Sequence, residues 1–128
     1  MTSIEQFKNS ARIKSFVNKL FEIRQVAHNT HLSTKSYAQH KALNSFYDDI
    51  LDLTDTFIET FQGQYGIITG YEEIKTKKES DIIAYLEDAV EQFKEVRKDL
   101  DKDTHLQNII DEMTGLVYST LYKLKYLQ

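Results

Sequence analysis

Residues 28–59 read HNTHLSTKSYAQHKALNSFYDDILDLTDTFIE, and the recurrence of apolar residues in the second half of this stretch decides the fold. From His40 onward, Leu43, Tyr47, Ile50, Thr54, Phe57 and, two residues past the stretch, Phe61 keep a three-four spacing. That is the period of an amphipathic helix with one face against a core. It predicts a helix from about Lys35 to Phe61. HLSTKS before it breaks the pattern, and Ser33, Thr34 or Ser36 can cap the new helix by accepting amide protons of its first turn. GQYGIITG, with three glycines in eight residues, ends it.

The same reading extends in both directions. Ile13, Phe16, Val17, Leu20 and Ala27 predict a first helix from about Ser3 to His31. At about 100° per residue, His31 falls at the centre of its apolar stripe and His28 roughly 60° away, at the edge. GYEEIKTKKES reads as a polar crossover carrying a short helical turn. Ser80 is the expected cap of a third helix through Ile83, Leu86, Val90, Phe93 and Leu100. LDKDTH is a charged turn, and Asp103 or Thr104 caps a fourth helix running to Leu127 through Ile109, Ile110, Met113, Leu116, Val117, Leu121 and Leu124. No proline interrupts any of them. The expectation is a single all-α domain over residues 1–128, an antiparallel four-helix bundle with a longer crossover between helices two and three.

Composition narrows the function. No cysteine is present, which excludes thiolate chemistry and sulfur-ligated zinc and leaves only nitrogen and oxygen ligands for any metal. The net charge is -4 and no terminal block of Lys or Arg occurs, so the basic footprint of a nucleic-acid binder is missing. Lys8, Arg12, Lys14, Lys19 and Arg24 make the first helix mildly basic, diluted by Glu5 and Glu22. No apolar run approaches the roughly 20 residues of a membrane span, and MTSIEQFKNS lacks the apolar core of a signal peptide. The expectation is a cytoplasmic protein without membrane or nucleic-acid partners. Glu-x-x-His pairs, glycine-rich phosphate loops and His-Glu-x-x-His are absent.

His28, His31 and His40 are three of the chain's four histidines. On the second helix, Asn44, Asp55 and Glu59 form a polar flank beside the core stripe, at about 40°, 60° and 100° from His40. Asp55 and Glu59 are four apart, so their carboxylates project from adjacent turns and a cation would relieve their repulsion. Histidine, aspartate and glutamate together suit iron. Yet His40 and Asp55 lie about 22 Å apart along one helix at 1.5 Å per residue, so a shared ion requires two subunits.

This segment resembles the ferritin-like Dps family of mini-ferritins, and STLYKLKYLQ looks like the end of that family's last helix. His31, the His-Asn-x-His element that contains it, His40, the Phe46-Tyr47 pair, Asp55 and Glu59 stand at the family's positions. The resemblance implies a ferritin-like bundle in which His31 and His40 of one subunit face Asp55 and Glu59 of its two-fold mate. These four would be both the metal ligands and the catalytic residues, binding one or two irons and oxidising Fe(II) with peroxide or oxygen. Self-association as a two-fold dimer, extending to a dodecameric shell that stores iron, is implied with it.

The chain departs from the pattern at Leu32, where the family has Trp, and at Asn44, where many members place an acidic residue. Asn44 is therefore a weak ligand candidate. The shorter loop leaves His28 as an alternative to His31. In these respects the chain resembles compact Dps-like proteins encoded by bacteriophages, for which the location would be the host cytoplasm. The alternative expectation is a ferritin-fold helical interaction or assembly protein that has lost the ferroxidase chemistry.

Overall fold

The computed structural model describes residues 10–76 and 81–128. Four helices follow in order: α1 (Ala11–Ser33), α2 (Tyr37–Tyr65), α3 (Ile82–Asp99) and α4 (Thr104–Tyr126). No strand occurs among the described residues. Each helix begins where a short polar side chain can take up amide protons left over in the first turn. Ser10 accepts from Ile13 N, Ser36 from Gln39 N and Asp81 from Ala84 N. Asp103 occupies the N-cap position of α4, but its carboxylate is engaged elsewhere.

α1 and α2 form an antiparallel hairpin, as do α3 and α4. α1 packs on α2, α2 on α4, α4 on α3 and α3 on α1. Arg12 of α1 bridges Asp99 at the end of α3, and Lys125 at the end of α4 bridges Glu87 near the start of α3, so every neighbouring pair runs antiparallel. That pattern forces α2 and α3 to point the same way. The chain must therefore climb the full bundle between them, which is the one-crossover connectivity also found in ferritin-like bundles. Gly66 leaves α2 at φ 98, and Tyr71 of the crossover packs edge-on against Phe21 of α1 at 6.1 Å.

One apolar core runs through all four helices. Phe16 lies edge-on to Phe57 of α2 at 5.1 Å and to Phe93 of α3 at 6.0 Å. The apolar residues that the helical period assigned to the first stripe are buried, and Ile23 and Val26 join them. Thr54 is also buried, its hydroxyl donating to the Ile50 carbonyl one turn back at 2.7 Å.

Several boundaries differ from the sequence reading. α2 runs on to Tyr65 rather than stopping at Phe61, because Gly63 keeps a helical conformation and Gly66 is the first glycine at positive φ. Tyr65 then packs on Phe61 with tilted rings at 4.9 Å, and this packing offsets the roughly 1 kcal/mol that a mid-helix glycine costs relative to alanine. The cap of α3 is Asp81 rather than Ser80, which lies outside the described residues, as do the residues from Ser3 to Asn9 that the sequence reading gave to the first helix. Residues 71–76 of the crossover contain no helical turn.

Phe57 is fully buried at the contact of α1 and α2. Phe57→Ala should lower unfolding free energy by about 3–5 kcal/mol, measured as a shift in denaturant midpoint.

Candidate functional site

The end of α1 and the start of α2 are tied together by two histidines. His31 lies in the last turn of α1, where backbone carbonyls lack an intrahelical partner. His40 lies one turn into α2 and donates from Nδ1 to the His31 carbonyl at 2.8 Å. The bond is returned: His31 Nδ1 donates to the His40 carbonyl at 2.7 Å. The two rings stack with centroids 3.7 Å apart and planes 18° apart. His31 is buried and His40 half-buried.

A carbonyl oxygen can only accept, so both Nδ1 atoms carry hydrogen, and each neutral ring keeps its lone pair on Nε2. An imidazole whose other nitrogen donates to a backbone carbonyl is oriented as metal-ligating histidines usually are. Lone pairs in two nearly parallel ring planes do not converge on one point. The pair in this stacked form therefore suits two neighbouring ions, one per ring, better than one shared ion.

Other aromatic and charged groups extend this cluster. His28 stacks on Tyr47 at 4.3 Å with planes 12° apart, and Tyr47 is edge-on to His31 at 5.3 Å. The Tyr47 hydroxyl donates to Asn44 Oδ1 at 3.0 Å. Arg24 lies over the Tyr47 ring, 5.5 Å from its centre, a cation–π arrangement. Its Nε is buried without a hydrogen-bond partner among the described residues. Tyr37 flanks His40 at 6.4 Å. Arg24 entered the sequence reading only as one of the basic residues of the first helix, and Tyr37 was not singled out. The signal for Arg24 was available, since Arg24, His28 and His31 step along one side of α1 by four and three residues.

Asp55 and Glu59 are both exposed on α2, one turn apart. Asp48, Asp49 and Asp52 are exposed as well. The chain thus holds the two halves of the expected site apart: the histidines at the hairpin end of α2, the carboxylates about 22 Å along the helix. No group of three or more His, Cys, Asp or Glu among the described residues could hold a metal within one chain.

A second polar network closes the opposite end. Buried Asp103 accepts from the Tyr65 hydroxyl and from Gln64 Nε2, the latter at 2.7 Å. His105 Nε2 donates to Gln64 Oε1 at 2.7 Å. His105 is exposed yet belongs to this staple. Burial, then the bond to Asp103 and its negative charge, push the Tyr65 phenol up to about 12.

The family described as "Family of unknown function (DUF5856)" matches residues 31–124, most of the chain, and the chain belongs to that family. An uncharacterised 14.6 kDa protein from the mobD-ri intergenic region of Enterobacteria phage T4 is similar to it, 27% identical over 124 residues. That alignment covers 96% of this chain and 95% of the phage protein. No solved structure matches. No helix among the described residues is long and apolar enough to cross a membrane.

Three outcomes follow from these geometries. His40→Phe keeps a flat ring but leaves the His31 carbonyl without its donor, so stability should fall by about 1–3 kcal/mol in a denaturant titration. His105→Phe, at an exposed bond, should stay within about 0.5 kcal/mol of the parent. The raised phenol pKa of Tyr65 means that the folded state holds its proton longer than the unfolded state. Its stabilisation is complete below the ordinary value of 10.0 and is lost as pH climbs from there through about 12. Alkaline titration of tyrosinate absorbance should show a phase near pH 12 that disappears in Tyr65→Phe.

Proposed function

We infer that this phage-related helical bundle binds ferrous iron at sites shared between two copies of the chain and oxidises it there. One observation carries the reading: the reciprocal bonds of His31 and His40 commit both Nδ1 atoms to carbonyls and leave both Nε2 lone pairs for ligation. The carboxylates needed to complete such a site are Asp55 and Glu59 of a two-fold mate. Their charge would neutralise the incoming cations, and bridging carboxylates suit a pair of ions at the roughly 3.5–4 Å typical of two-metal sites. Asn44, held by the Tyr47 hydroxyl, offers at most a neutral oxygen.

Iron is the substrate. Two ferrous ions give up one electron each, and peroxide takes both together with two protons, leaving two ferric ions and two waters. The chain's own residues orient the ions, supply charge and keep the oxidant away from the rest of the molecule. Arg24 and the Tyr47 ring stand beside the histidines, so this side of the site is positive and aromatic while the mate's side is negative. A closed shell of such dimers would retain the ferric product as mineral.

A second reading is favoured by the same bonds. Stacking and cross-bonding satisfy the two histidines without an ion, as a lock between α1 and α2, and the bundle would then serve as a helical assembly protein without redox chemistry.

Anaerobic titration with Fe(II), followed by peroxide, separates the two. The ferroxidase reading expects saturation at about one or two irons per subunit. It also expects oxidation faster than in buffer alone, with both effects lost in Asp55→Ala and in His40→Ala. A chain that takes up no saturable iron, or an Asp55→Ala variant with unchanged stoichiometry, overturns it in favour of the lock.

A further inference from the structure

The outer face of α4, turned away from the core, carries a row of tyrosines that nothing among the described residues covers. Tyr118, Tyr122 and Tyr126 are 52%, 55% and 73% exposed, and the last two pack on each other at 6.0 Å. Isolated exposed aromatics are ordinary, but a contiguous row on one helix face marks an interaction surface. Tyrosine suits such surfaces because its ring is apolar and its hydroxyl tolerates water.

Gly115 lies in the same row, one turn before Tyr118. Glycine inside a helix is unfavourable because of the backbone freedom it gives up. Nothing among the described residues requires it: a Cβ there would meet none of their atoms within 4 Å, and its φ is not positive. A missing side chain on the outside of a helix lets a neighbouring helix come close.

The charges beside this row identify the neighbour. Glu112 and Lys123 are exposed on the same flank, and neither forms an ion pair among the described residues. On an α-helix they lie within about 20° of each other around the axis and about 16 Å apart along it. Two such helices placed antiparallel across a two-fold axis bring equal flanks together. Glu112 then faces Lys123 of the other copy, and the pair occurs twice. The axis passes close to Tyr118, and Tyr122 of each copy lies over the other's Gly115. On the opposite flank, Arg97–Asp111 and Glu87–Lys125 are already paired within the chain and need no partner.

We propose that the outer face of α4 docks on the same face of a second copy of this chain, the two helices antiparallel across a two-fold axis near Tyr118. This contact is separate from the α1–α2 face that would complete an iron site, since α1 stands diagonally opposite α4 in the bundle. One helix per copy is a small interface, below the roughly 1,200 Å² of standard complexes, so association should depend on concentration.

Sedimentation velocity of the full chain over a concentration series tests this. The parent should associate, and Lys123→Glu or Glu112→Lys should each weaken that association at least about tenfold, because every reversal places like charges together twice. The double variant, Glu112→Lys with Lys123→Glu, should restore it. Gly115→Trp should abolish it without lowering the circular-dichroism melting temperature, since the site is open and glycine is the poorer helix former. A parent that stays monomeric throughout, single reversals that leave association unchanged, or a double variant that fails to recover would each overturn the proposal. Iron titration of the same variants keeps the two contacts distinguishable: failure at α4 leaves iron stoichiometry unchanged.

Discussion

Phe16 is the point at which three of the four helices meet. Its ring makes T-shaped contacts with Phe57 on α2 and Phe93 on α3, and Phe57 in turn stacks towards Phe61 at 6.1 Å. Edge-to-face geometry is selective, because the positive rim of one ring must address the negative face of the next. With α1 fixed against α2 and α3 by the same residue, α4 has one remaining groove. The pairing of neighbours, and hence the need for a crossover, follow from that choice.

Much of this was legible because helix formation leaves a regular trace. In the stripe from Leu43 to Phe61, Leu43, Ile50, Phe57 and Phe61 are buried and Tyr47 is half-buried, and Ser36, one of the three cap candidates, is the cap. The glycines were less readable. Gly63 and Gly66 look alike in sequence, and which of them leaves the helix depends on whether Tyr65 can reach Phe61, a tertiary fact. Asp103 shows the same limit. Its type and position announce a cap, but a carboxylate near Tyr65 and Gln64 finds donors across the bundle, and those win.

The candidate site was legible as a set of residues and not as an arrangement. Spacing alone placed His31 and His40 on neighbouring helix ends and showed that Asp55 could not reach them within one chain. It could not show that the rings would stack and exchange carbonyl bonds, since that depends on the three-residue link bringing the last turn of α1 beside the first turn of α2. This cross-bonding has two sides. It orients both imidazoles and also satisfies them, so ligation would have to displace little except the stacking itself.

The crossover has a consequence for folding as well as for shape. The molecule consists of two local hairpins, α1–α2 and α3–α4, each closed by a short turn, and one long strap joins them. Local hairpins form quickly because little chain entropy is lost in closing them, whereas docking one on the other must close the strap as well. The Tyr65–Asp103 staple belongs to that later step, because it joins the two hairpins. A strap of this length also lets the second hairpin of one chain dock on the first hairpin of another without strain, so at high concentration during refolding the same contacts can be made between molecules as within one.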